Sequence, residues 1–105
     1  AALEGQERVV ELLMQRGAEI NLQDSDGTTA LMTAVQEGQE RVAELLLQRG
    51  AEVDLQDSDG RTALTTAASN GQERVVDLLL QHGAEIDQQD SNGGTALMQA
   101  ASYGH

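Results

Sequence analysis

Thr29–Gly60 reads TALMTAVQEGQERVAELLLQRGAEVDLQDSDG, and the spacing of its apolar residues decides the fold. Thr29 marks a helix start, because its hydroxyl can accept from the orphan amides of a first turn. Leu31, Ala34 and Val35 recur behind it at helical spacing. Gly38 ends that helix by taking a left-handed conformation. A second helix follows through Arg41–Leu47, with Val42, Leu45 and Leu46 as its apolar stripe and Gly50 as its stop. Ala51–Leu55 then reads as a short extended piece with Ala51 and Val53 facing inward. Asp57-Ser58-Asp59-Gly60 is a turn signal in which Gly60 supplies the positive φ. One unit is therefore helix, helix, then an extended loop that carries a turn.

The unit recurs on both sides. Gly5, Gly38, Gly71 and Gly104 lie 33 residues apart, and so do Gly27, Gly60 and Gly93, and Gly17, Gly50 and Gly83. Aligned on that period, Gly5–Glu37 and Gly38–Asn70 are identical at 24 of 33 positions with no gap. A single helix pair cannot bury its apolar face alone; stacked neighbours can, and stability becomes a sum over adjacent interfaces. The expectation is one array over 1–105, made of a partial repeat at 1–23, repeats at 24–56 and 57–89, and a partial repeat at 90–105. Ala1–Gly5 aligns with Ala67–Gly71, which predicts an opening inside a first helix that ends at Gly5. Ala100–His105 repeats the same stretch and stops where a second helix would begin. With no initial Met and no polar cap at either end, a segment of a longer array is expected, and its uncapped ends predict head-to-tail self-association.

Composition narrows the function. Eighteen acidic residues against six basic ones, all six Arg, leave a formal net charge of −12. Phosphate backbones and anionic membranes would be repelled by that field, so no nucleic-acid or membrane partner is expected, and a charged partner should be basic. No stretch approaches the roughly 20 apolar residues a membrane helix needs. Phe and Trp are absent and Tyr103 is the only aromatic residue. The core must be assembled from Leu, Val, Ile, Ala and Met, which suits thin layers. Without cysteine, disulfides, thiolate nucleophiles and Cys-based zinc sites are excluded.

The string D-x-x-G-x-T, A-L, A-A-x-x-G and V-V-x-L-L-L-x-x-G-A-x-V/I-N/D is carried here by Asp57, Gly60, Thr62, Leu64, Ala67, Ala68, Gly71, Val75, Val76, Leu78, Leu79, Leu80, Gly83, Ala84, Ile86 and Asp87. It resembles the ankyrin repeat, over essentially the whole chain. That resemblance implies an all-α solenoid of stacked helix-turn-helix pairs with short hairpin-like loops. It also implies an intracellular protein-interaction module rather than an enzyme, with no cofactor and no metal, binding a protein or peptide on the concave face formed by loop tips and first helices. In the family, the first turn Asp usually bonds to the backbone of the adjacent loop. Where the family usually has Pro, Leu and His after the turn Thr, this chain has Ala30-Leu31-Met32, Ala63-Leu64-Thr65 and Ala96-Leu97-Met98. Ala in place of Pro forgoes ~0.4–1 kcal/mol per repeat. Losing the His ring removes a tie between neighbouring loops, so softer repeats are expected. Asn21 after Ile20, with Leu13 upstream, matches the kind of asparagine that intracellular asparaginyl hydroxylases modify, although Asn at such a point is also an ordinary turn former.

Comparing the copies with one another singles out candidate partner-facing residues. Stack-building positions should match between copies, whereas partner-facing ones are free to differ. Among the differing sets are Thr28/Arg61/Gly94, Met32/Thr65/Met98, Thr33/Thr66/Gln99, Gln36/Ser69/Ser102 and Glu37/Asn70/Tyr103. Several of their members, which map onto the loop tip and the exposed side of the first helix, join the turn residues Asp26, Asp59 and Asn92 to give the candidate surface: Asp26, Thr28, Thr33, Gln36, Glu37, Asp59, Arg61, Thr66, Ser69, Asn70, Asn92, Gln99, Ser102 and Tyr103. Arg61 and Tyr103 stand out because Arg and Tyr are enriched among binding hot spots. The stacked turn aspartates form a stripe that either attracts a basic peptide or simply keeps the edge solvated.

Other chemistry finds little support. His82 replaces Arg16 and Arg49 at the end of a second helix, where a cation suits the negative terminus, and His105 is the last residue. No Ser–His–acid arrangement emerges. Setting Gly27 sixth in a calcium loop puts Leu22 first and Thr33 twelfth, where ligands are required. Arg8, Arg41 and Arg74 sit three residues before Glu11, Glu44 and Asp77 and read as convex-face pairs contributing ~0.2–0.5 kcal/mol each. Two rival readings stand beside the interaction module: a structural spacer array, favoured by the copy similarity, and an engineered repeat protein, which the missing Pro residues and uncapped ends oppose.

Overall fold

The computed structural model describes residues 2–103, with side chains from residue 7 onward. Six helices run in chain order: α1 (Ala2–Gln15), α2 (Ala30–Gln36), α3 (Glu40–Gln48), α4 (Ala63–Ser69), α5 (Glu73–Gln81) and α6 (Ala96–Ser102). The described residues contain no strand. The short helices α2, α4 and α6 form one layer and the outer helices α1, α3 and α5 a second. This is the expected all-α stack, 38 × 27 × 22 Å in extent.

The helix starts follow the chemistry of threonine. Thr29, Thr62 and Thr95 hold extended backbones, and each side-chain oxygen accepts from the amide three residues on. Thr65, standing where the family usually has His, bonds back to the cap: its Oγ1 accepts from the Thr62 amide at 2.9 Å and donates to the Thr62 carbonyl at 2.9 Å. The loop-tying ring is absent, and its place is taken by a local capping box inside α4. Gly38 and Gly71 turn the chain between inner and outer helices at φ 71° and 67°.

Gly5 behaves differently. The expected break there is absent, and α1 continues through Gly5 as one helix from Ala2 to Gln15. The few residues before Gly5 are too short to nucleate a separate helix, whereas adding them to an existing one contributes a hydrogen bond per residue fixed. Gly104 and His105, where the last inner helix was expected to end, lie outside the described residues.

The core sits between the layers and is built from Leu31, Ala34, Val35, Val42, Ala43, Leu46, Leu47, Ala63, Leu64, Ala67, Ala68, Val75, Leu79 and Ala96. Burial falls off toward both ends. On the outer helices Leu46 and Leu79 are 3% and 0% exposed, yet Leu13, one period earlier, is 56% exposed. On the inner helices Leu31 and Leu64 are 1% and 2% exposed, while Leu97 is 78% exposed. Identical positions differ only in whether a neighbour covers them.

The convex-face ion pairs also differ from expectation. Arg41 reaches Glu7 at 3.2 Å, Arg49 reaches Glu11 at 3.8 Å and Arg74 reaches Glu40 at 3.4 Å. These pairs run between neighbouring outer helices rather than along one helix to Glu44 or Asp77. Packing side by side brings equivalent faces of α1, α3 and α5 together, so Glu7 and Glu40 each meet the Arg one residue beyond the equivalent Glu of the next helix. Exposed as they are, such pairs contribute little individually.

Candidate functional site

The loops position the candidate residues. Within each turn the first Asp closes its own backbone: Asp24 Oδ1 accepts from the amides of Asp26 and Thr28, Asp57 Oδ1 from Asp59 and Arg61, and Asp90 Oδ1 from Asn92 and Gly94. The family expectation that this Asp reaches the adjacent loop is not met. Two backbone bonds across each loop, such as Asp57 N–H to the Arg61 carbonyl and Gly60 N–H to the Asp57 carbonyl, both 2.9 Å, give it a hairpin-like shape.

Other groups tie one loop to the next. Ser58 N–H donates to the Asp26 carbonyl at 2.8 Å and Ser91 N–H to the Asp59 carbonyl at 2.9 Å. Gln23 Nε2 bridges the carbonyls of Gly27 and Gln56, and Gln56 Nε2 those of Gly60 and Gln89. Asn21 Oδ1 accepts from Glu52 N–H, and Asp54 Oδ1 from Glu85 N–H, both at 2.8 Å. Asn21 is thus half-buried and engaged in stacking. The consecutive turns approach closely: a β-carbon on Gly60 would lie 2.6 Å from the Ser91 backbone nitrogen.

Behind this loop stack, a cavity of about 410 Å³ opens over α4 and α6. Nine of the candidates line it: Gln36, Asp59, Arg61, Thr66, Ser69, Asn70, Asn92, Gln99 and Tyr103. Thr65, Asp90 and Ser91 line it too and were not among them. Asp90 could have been found from its place one period after Asp24 and Asp57. Its second oxygen accepts from Gln99 Nε2 at 3.3 Å, and Gly94 makes room, since a β-carbon there would sit 3.1 Å from that oxygen. Ser91 enters only because its loop stacks on the previous one, which spacing along the chain does not reveal.

Arg61 is already engaged. Its guanidinium meets Asp59 Oδ2 at 2.7 Å, with both side chains more than half exposed. Tyr103 projects into solvent just beyond α6. The remaining candidates fall outside this cavity. Asp26 contributes its backbone to the loop stack, Thr28 is half-buried and donates its amide to Asp24, and Ser102 is exposed at the end of α6. Thr33 and Glu37 line a separate apolar groove beside α1.

The polar groups here can form hydrogen bonds to an extended backbone and offer carboxylates to a cation. Among the described residues, no group of three or more His, Asp or Glu side chains could hold a metal ion, and no helix is long and apolar enough to cross a membrane. His82 caps the C-terminus of α5 in solvent.

No curated protein matches the chain. A family model described as ankyrin repeats (3 copies) matches residues 1–90 and again 49–105. With stacked helix pairs, loops closed by Asp and Gly, and that match along its whole length, the chain belongs to the ankyrin repeat family.

Proposed function

We propose that this chain is an intracellular interaction module that holds an extended, basic segment of a partner protein in the groove between its loop tips and inner helices. Ankyrin repeats generally serve as protein-interaction modules and are typically non-enzymatic. The observation that carries the reading is a coincidence of two independent patterns. Within the turn and inner helix of each repeat, six of the seven positions at which the copies differ contribute a residue to a single polar cavity on α4 and α6. A surface that varies against a constant scaffold is where specificity is set. The basic character of the partner follows from the net charge of −12 and from the carboxylates of Asp59 and Asp90 at the rim.

Selection of a random peptide library against the chain tests this. Ligands enriched in Lys and Arg are expected, with affinity lowered at least tenfold by Tyr103→Ala combined with Asn70→Ala and unchanged by Arg74→Ala on the convex side. Ligands indifferent to the groove pair but sensitive to the convex substitution would reject the assignment. A spacer role draws on one observation, the identity of 24 positions in 33 between copies, and it predicts that no peptide is selected at all.

A further inference from the structure

Gly94 stands where the two preceding copies have Thr28 and Arg61. The other turn glycines serve the backbone: Gly27, Gly60 and Gly93 hold φ between 77° and 81°, where a side chain is strained. Gly94 differs, because its φ lies outside that region. Its backbone would accept a side chain, so what the glycine supplies is room. The room lies over Asp90: a β-carbon at position 94 would sit 3.1 Å from Asp90 Oδ2 and 3.3 Å from Gln99 Nε2. Asp90 lines the polar cavity over α4 and α6, whereas its equivalent Asp57, one copy earlier, does not.

The two oxygens of Asp90 have different tasks. Oδ1 accepts from the amides of Asn92 and Gly94 at 2.9 and 2.7 Å and so shapes the turn. Among the described residues, Oδ2 accepts from Gln99 Nε2 alone, at 3.3 Å, longer than the roughly 2.9–3.0 Å such bonds prefer. A carboxylate oxygen has two acceptor sites, so Oδ2 keeps capacity for a stronger donor. Charge points the same way. Of the residues that line the cavity, Asp59, Asp90 and Arg61 are charged, and Arg61 is bound to Asp59 at 2.7 Å. The lining therefore keeps one uncompensated negative charge, that of Asp90.

We propose, resting on the groove reading above, that this cavity takes a single arginine side chain of the partner segment, with its guanidinium on Asp90 Oδ2. One net charge matches one cation. The remaining acceptors are dispersed around the lining, among them the hydroxyls of Thr66 and Ser91 and the amide oxygen of Asn92. A guanidinium spreads five donors across a plane, whereas an ammonium is a compact and strongly hydrated point charge, so dispersed acceptors favour Arg over Lys. Tyr103 adds an aromatic ring to the lining, a face on which a guanidinium stacks. Asp90 and Gly94 thus decide which position of the bound segment must be arginine. In the two preceding loops, Thr28 and Arg61 fill the place that Gly94 leaves free.

Titration of acetyl-arginine amide into the isotope-labelled chain at low salt, followed by NMR, tests the pocket without any peptide. Saturable shifts are expected at the amides of Asn92 and Gly94 and at the side-chain amide of Gln99, with acetyl-lysine amide binding about fivefold more weakly. Asp90→Asn keeps an oxygen for the two turn amides while removing the charge, and should lower the affinity about tenfold. Gly94→Thr, which rebuilds the side chain of the first copy, should weaken binding by filling the room. Arg61→Gln releases Asp59 and should strengthen it. The proposal is overturned if arginine amide shifts none of these amides, if Asp90→Asn binds it as well as the parent chain does, or if the lysine amide binds equally well. The groove reading fails separately, when selected peptides ignore Tyr103 and Asn70. Peptides that depend on that pair but are indifferent to Asp90→Asn and Gly94→Thr would leave the groove standing and reject the arginine pocket.

Discussion

At the scale of single residues, the turn glycines separate two effects that sequence alone merges. Gly38 and Gly60 both adopt positive φ, 71° and 77°, and both read as turn positions from spacing. A β-carbon on Gly38 meets nothing within 4 Å, whereas on Gly60 it meets the Ser91 nitrogen at 2.6 Å. Gly38→Ala should destabilise by the left-handed strain alone, about 1–2 kcal/mol, and Gly60→Ala by clearly more, because the next loop must also move. Urea denaturation midpoints of the two variants check the order. Stacking distance sets the difference, and no single repeat contains it. The glutamines make the same point from the other side. Gln23, Gln56 and Gln89 are identical in every copy, which marks them as stack builders, yet their exposed amides give no hydrophobic signal. Gln56→Ala removes two bonds between and within loops and should destabilise by about 1–3 kcal/mol. Gln89→Ala removes no side-chain bond among the described residues and should leave the midpoint unchanged.

At the scale of elements, helix starts and stops were legible because they rest on local chemistry. Threonine caps and glycine stops act within four residues, and both appear where the periodicity puts them. Contacts that bridge copies were not legible. Arg41 stands three residues from Glu44 in sequence, but it pairs with Glu7 because α1 and α3 lie side by side. Helix α1 escaped for a related reason: a stop glycine acts as one only when there is a packed helix on both sides of it. The missing prolines can now be tested in place. Thr29 has φ −98° and ψ 168°, the extended geometry that a residue before proline prefers. Ala30 is the first helical residue and exposed, so its side chain has room to become a ring. Ala30→Pro should raise stability by about 0.4–1 kcal/mol by restricting the unfolded chain, read as a higher urea midpoint with unchanged slope. A drop would show that the first turn of α2 uses the amide at position 30.

At the scale of the whole molecule, stability belongs to the middle of the stack and function to its variable face. Periodicity disclosed both, since it identified the layers and, by their disagreements, most of the groove. What it left out were residues brought in by neighbours, such as Ser91. The three leucines Leu13, Leu46 and Leu79 occupy one position of the period with the same chemistry, and only their cover differs. Truncating a fully covered leucine removes transfer energy and leaves a cavity, so Leu79→Ala and Leu46→Ala should each lose about 2–5 kcal/mol. Against a total stability of about 5–15 kcal/mol for a domain, that is enough to shift the midpoint far toward water. Leu13→Ala removes a side chain already in solvent and should change little in dilute solution. Urea midpoints of the three variants check that order, and a Leu13→Ala loss as large as those at Leu46 and Leu79 would show that Leu13 is covered in solution.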